Sequence, residues 1–147
     1  MGESQGFTLI ELMVVIAVVA IISTMAIPAF NSINLNQNLK KSTNTLVQEI
    51  KAARTKAVLE KREITLKLAS SATNTATVLN WVQDGSVNLK ATSDNIMRFD
   101  GNGVLVTAFR VIELCKTTYS SSKPTSSKKI TLTRFGQVEK VEDGSCS

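Results

Sequence analysis

The 147-residue chain contains no histidine. That removes the usual general base and the commonest metal ligand together. Its two cysteines, Cys115 and Cys146, stand far apart and form no Cys-x-x-Cys pair. No Gly-rich phosphate loop and no cluster of metal-ligating residues occurs. Without histidine no nucleophile–base pair can be built, so neither catalysis nor a cofactor or metal is expected. Asp100-Gly101-Asn102-Gly103 begins like a calcium loop but lacks the further oxygen ligands and the terminal acid. It reads as a turn. Residues Met1 to Gly6 hold no Lys or Arg, and no Ala-x-Ala-like exit precedes Pro28. A secretory signal peptide therefore does not fit. The net charge is +5, but the charges are spread rather than blocked.

What the chain does have is an apolar run from Phe7 to Ile27. About twenty residues at roughly 1.5 Å each can cross the hydrocarbon of a bilayer. One charge interrupts it, Glu11. An ionised carboxylate inside such a segment costs roughly 2.5–3.5 kcal/mol on insertion scales, so it calls for a partner. If this anchor leads outward, both cysteines lie in an oxidising compartment. A structural disulfide is then the expected use, and two free buried thiols the alternative. The bridge would close a loop of about thirty residues and contribute roughly 3–4 kcal/mol.

Gly6-Phe7-Thr8-Leu9-Ile10-Glu11-Leu12 resembles the processing site of type IV prepilins and type II secretion pseudopilins, with every position of the signature filled. The resemblance implies a leader at 1–6, cleavage between Gly6 and Phe7 by a prepilin peptidase, and methylation of the new amino terminus at Phe7. It also gives Glu11 its partner, the terminal amine of a neighbouring subunit. A pair of this kind is weak evidence of stability but can fix register.

Pro28 falls just beyond the run and predicts a bend rather than a stop. The division expected is a transmembrane and assembly helix over 7–29, an amphipathic helix over 30–61 and a β-rich head over 62–147. Leu35, Leu39, Leu46, Ile50, Ala53 and Ala57 recur at helical spacing, with Val47, Arg54 and Val58 widening the stripe. After Lys61 the period changes to alternation. Glu63 to Leu68 reads as a strand, and Thr77 to Val82 as its hairpin partner. Ser86 to Asp94 reads as a polar connection. Further strands are expected at Ile96–Phe99, at Val104–Val106 and Ala108–Leu114 as two strands or one interrupted strand, and at Ile130–Thr133 and Val138–Val141. Lys116 to Lys129, with Pro124, reads as an exposed loop. Trp81, Phe99, Phe109 and Phe135 are core candidates, most of them better placed there than as stacking platforms for nucleic acid. The fold class is α+β: a long N-terminal helix packed on an antiparallel, sandwich-like β head.

Asn38-Leu39 through Leu46, Ala52 to Ala57 leading into Arg62 to Leu66, Ile96 to Gly103, Phe109 to Cys115 and Ile130 to Val138 resemble the GspH/FimT family of minor pilins and pseudopilins, most of all its FimU-type branch. The resemblance implies a structural role in a tip complex with other minor pilins and the major pilin. That complex primes pilus assembly and can carry a tip adhesin, in adhesion, twitching motility or DNA uptake. It implies residence in the bacterial inner membrane, with the head in the periplasm, and then in the filament at the cell surface. A second implied role is DNA binding in natural transformation. Some FimT-like members use a Gly-Arg-x-Arg motif, but Gly136-Gln137-Val138-Glu139 stands at the matching place, with both arginines replaced. Lys128, Lys129, Arg134 and Lys140 remain nearby as DNA-contact candidates. A third role is a minor pseudopilin of type II secretion, against which the expected disulfide weighs.

Overall fold

The computed structural model describes residues 7–90, 95–116 and 125–146, without the side chains of 25–29 and 125. It contains one helix, α1 (Leu9–Glu60), then β1 (Ile64–Leu68), β2 (Val78–Trp81), β3 (Val87–Leu89), β4 (Ile96–Phe99), β5 (Val111–Lys116), β6 (Thr125–Leu132) and β7 (Val138–Cys146). This is the expected α+β class. By contacts the chain divides into Met1–Asn34 and Leu35–Ser147.

In the first unit, helical backbone begins at Leu9 rather than Phe7, and the assignment continues through Pro28. The start is a cap. Thr8 Oγ1 accepts the Glu11 backbone N–H at 3.3 Å, and Thr8 O accepts that of Leu12 at 3.2 Å. Thr8-x-x-Glu11 has the spacing of a capping box, with the acid in the positively polarised first turn.

In the second unit, α1 buries Leu39, Leu46, Ile50, Ala53 and Ala57, while Leu35 is half-buried and Val58 exposed. Between Leu39 and Leu46 the buried positions are polar: Ser42 and Thr43. Both are satisfied. Thr43 donates to Leu39 O at 2.7 Å, and Ser42 Oγ accepts the Asp84 N–H at 3.0 Å. The helix ends at Lys61, whose φ is 49°, with Arg62 N–H donating back to Ala57 O at 3.3 Å. That six-to-one bond is a Schellman ending.

The strands form two sheets, β2-β1-β4 and β3-β5-β6-β7. The buried face of α1 and both sheets share one core, with Ile64, Leu66, Met97 and Phe99 from the first sheet and Ile112, Leu114, Ile130 and Leu132 from the second. Trp81 and Phe99 are core residues and Phe109 packs against the core, but Phe135 is 61% exposed.

The structure corrects the strand reading in four places. β2 is not the hairpin partner of β1: the two are parallel, Thr65 opposite Val78 and Leu68 opposite Trp81. The chain doubles back after Ala69, whose φ is 55°. Asn80 then holds the return loop, its N–H on Asn74 Oδ1 at 2.7 Å and its amide on Thr73 O at 3.1 Å. Ser86–Asp94 contains a strand, β3, which pairs with β5. Val104–Val106 contributes only an isolated bridge, Leu105 to Phe99. The reading of Lys116–Lys129 as loop fails from Thr125 onward, where β6 begins and pairs with an extended β7 out to Cys146. Neither half of that pair has a strong apolar alternation; each is ordered by the other.

Candidate functional site

Phe7 and the described residues of α1 up to Thr24 are all exposed, Phe7 at 81% and Leu9 at 78%. A helix apolar on every side is stable only where something apolar covers it. Its two hydroxyls do not oppose that. Ser23 donates to Val19 O and Thr24 to Ile21 O, each at 2.7 Å, so neither presents an unmet donor to an apolar medium. Glu11 remains the single acid on this segment. Gly6 lies outside the described residues, and so do the side chain of Pro28 and the leader. Among the described residues no helix is long and apolar enough to cross a membrane.

The cysteines form the expected bond. Cys115 on β5 and Cys146 on β7 are joined, with 5.9 Å between their Cα atoms. β6 lies between these strands in the sheet. Strands two apart in a flat sheet are separated by about 9.6 Å, twice the usual spacing, so the end of β7 must curl over β6. Gly144 makes the curl possible. A Cβ there would stand 2.7 Å from Ser127 Oγ and 3.6 Å from Glu113 Oε1. Under this flap Ser127 is fully buried and donates to Glu113 Oε1 at 2.7 Å. That hydrogen bond, with Lys90 3.5 Å from the other carboxylate oxygen, holds the Glu113 carboxyl below its ordinary pKa despite partial burial.

The basic candidates do not form a patch. Lys128 shares its strand face with buried Ile130 and Leu132, while Lys129 points to the opposite face by simple alternation. Lys128 is paired with Asp143, and Lys140 with Glu142. Lys129 stands between two acids across the ladder, Glu113 and Glu142. Arg134 is exposed in the turn between β6 and β7. An interleaved surface of this kind gives phosphate no continuous positive track.

Two features had only faint signals in the sequence. One is the Thr8 cap, legible as Thr-x-x-Glu. The other is Arg54, which lay within the helical stripe. Its Nε donates to Gly103 O at 3.3 Å and to Phe135 O at 2.9 Å, tying two turns of the β head to α1.

Residues 1–27 match the prokaryotic N-terminal methylation motif. Two proteins of Pseudomonas aeruginosa described as fimbrial protein are similar to the chain, 37% and 36% identical over 64 residues. The match takes in 44% of this chain and 41% of each relative, so it spans about two fifths of their length. Among solved structures, that of the P. aeruginosa PAO1 type IV minor pilin FimU aligns over 76% of this chain and 97% of that one, with a TM-score of 0.49 at 15% identity. The chain thus carries the prokaryotic N-terminal methylation motif and is similar, over about two fifths of their length, to fimbrial proteins.

Proposed function

We propose that the chain is a structural minor pilin. Cut between Gly6 and Phe7 and methylated on Phe7, it is held in the inner membrane by 7–29 with its head in the periplasm. From there it enters a filament tip complex with other minor pilins and the major pilin. That complex primes assembly and supports an adhesin. The observation that carries this reading is the methylation motif at 1–27 running into an uncovered apolar helix with one acid. Glu11 would meet the freed amine of a neighbouring subunit, and Pro28 would let the segment adjust as subunits pack. The division into leader, assembly helix, amphipathic helix and head follows from the same reading.

Mass spectrometry of the mature protein tests processing. The expected product begins at an N-methylated Phe7; any other terminus overturns the proposal. Glu11→Ala should leave processing intact and lower incorporation into filaments. Glu11→Gln separates two roles: it keeps a good residue for the capping box but loses the charge. If Glu11→Gln incorporates normally while Glu11→Ala does not, Glu11 serves the cap and not a partner's amine.

The type II secretion pseudopilus is a neighbouring reading, and the gene's operon would separate the two. The DNA-binding reading draws little support from a surface on which Lys128 and Lys140 already have acidic partners.

A further inference from the structure

One flank of α1 within the head carries cations and no acid. At about 100° per residue, Lys51 and Arg54 stand on one side of the buried stripe through Leu46, Ile50, Ala53 and Ala57, while Glu49 and Glu60 fall on the other. Lys51, Arg54 and Thr55 line a surface recess of about 410 Å3 whose other wall is Gly136, Gln137 and Val138. The neighbouring acids of the β head do not line it. Glu139 takes the face of β7 opposite to Val138 by alternation. Asp100 Oδ1 is taken up by the N–H groups of Asn102 and Val104, at 2.9 and 2.8 Å.

Arg54 is held in place but only half used. Its Nε donates to Gly103 O and Phe135 O, which anchors the guanidinium. Among the described residues its two terminal nitrogens make no hydrogen bond, and neither Arg54 nor Lys51 has an acidic partner. A half-buried, pre-positioned guanidinium with its end-on fork unpaired fits a planar oxyanion. Little side-chain freedom is left to lose when one arrives.

The rim distinguishes between oxyanions. Phe135 is 61% exposed and Val58 42% exposed. Both adjoin Arg54, Phe135 through its carbonyl and Val58 as the residue four places on along α1. An apolar rim suits the aliphatic neighbours of a carboxylate in a protein chain. Nucleic acid asks for a row of cations, and Lys128 and Lys140 of the nearby sheet already face Asp143 and Glu142.

We infer that this recess receives one carboxylate of another protein, an aspartate or glutamate side chain flanked by aliphatic residues. Its two oxygens would lie on Nη1 and Nη2 of Arg54, with Lys51 supplying a second positive charge. The inference concerns the head alone and does not depend on processing at Gly6.

The test uses the full isotope-labelled chain in a non-ionic detergent with two end-blocked peptides, Leu-Glu-Leu and Leu-Gln-Leu. Inorganic phosphate and a short DNA duplex serve as comparison probes. NMR follows the Arg54 Nε–H and the Gln137 amide. Leu-Glu-Leu should shift both saturably and bind about tenfold or more tighter than Leu-Gln-Leu. Lys51→Glu, at an exposed position, should abolish binding by setting a carboxylate of the chain itself three residues from Arg54. Lys51→Arg, which keeps the charge, should retain it. Equal binding of the two peptides, no binding, shifts confined to another surface, or indifference to Lys51→Glu would each overturn the inference. Phosphate bound as tightly as Leu-Glu-Leu would overturn it by showing an unselective anion site, and tighter binding of the duplex by naming nucleic acid as the ligand. Shifts that grow with protein concentration and need no peptide would do so too, by naming a second copy as the occupant.

Discussion

Lys61 does the work usually given to glycine. Its φ of 49° closes α1, and a non-glycine residue in that region carries a steric cost of about 1–2 kcal/mol. Lys61→Gly relieves it but adds freedom to the unfolded chain, about 0.5–1 kcal/mol the other way. The expected outcome is a stabilisation of about 0.5 kcal/mol, read as a higher denaturant midpoint with an unchanged slope. Gly136 is the opposite case. Its φ is 69°, and a Cβ would stand 2.6 Å from Phe99 Cε1, so both the backbone and the core resist a side chain. Gly136→Ala should cost about 2 kcal/mol or more. Glu113 gives a pH signature. Its folded pKa is depressed, chiefly by the Ser127 hydrogen bond, so its contribution is present above the ordinary carboxylate value of about 4.3. It is lost as pH falls through the lower, folded value. Glu113→Gln should flatten the acid limb of the stability curve below that point; an unchanged limb would show that the carboxylate is not held as described.

Among the elements, those legible in the sequence were those whose own residues decide them. Leu46, Ile50, Ala53 and Ala57 mark the buried face of α1 by spacing alone, and Ile64, Leu66 and Leu68 mark β1 by alternation. Ser42 and Thr43 interrupted the first pattern because their burial depends on bonds to Leu39 O and the Asp84 N–H, which no local pattern announces. β3 and the outer halves of β6 and β7 were opaque for a related reason. They are polar segments held by cross-strand partners and by the Cys115–Cys146 bond. The parallel pairing of β2 was hidden as well, since a polar turn between two strands ordinarily signals a hairpin, and the return loop here is held by the Ala69 backbone and by the bonds of Asn80 to Thr73 and Asn74. Of the candidate sites, Glu11 and the cysteines could be picked from the chain, whereas the neutralisation of Lys128, Lys129 and Lys140 by acids from β5 and β7 required the register. Replacing both cysteines with serine should lower stability by about 2–4 kcal/mol for a separation of 31 residues. The loss should appear first as faster exchange of the amides at Gly144 to Cys146.

For the whole molecule, the division of labour is between a helix that lacks a cover and a head that has its own core. The first unit has no buried residue among those described, and the second holds every member of the core cluster. Changes in the two should therefore separate experimentally. Core substitutions such as Leu46→Ala should lower the melting temperature, at a cost of about 2–5 kcal/mol, and leave the processing site untouched. Changes at Glu11 should leave that temperature where it is and act only on assembly. A Glu11 variant that melted early would break this division.

The guanidinium of Arg54 then acquires a mechanical meaning. It rivets the loops around Gly103 and Phe135 to the last turns of α1, so tension applied to that helix passes into the β layers there. Under such tension these two hydrogen bonds would carry load between α1 and the turns at Gly103 and Phe135. Arg54→Met, which keeps the aliphatic stem and removes the Nε–H that makes both bonds, should let the head give way at lower pulling force while barely altering its resting stability.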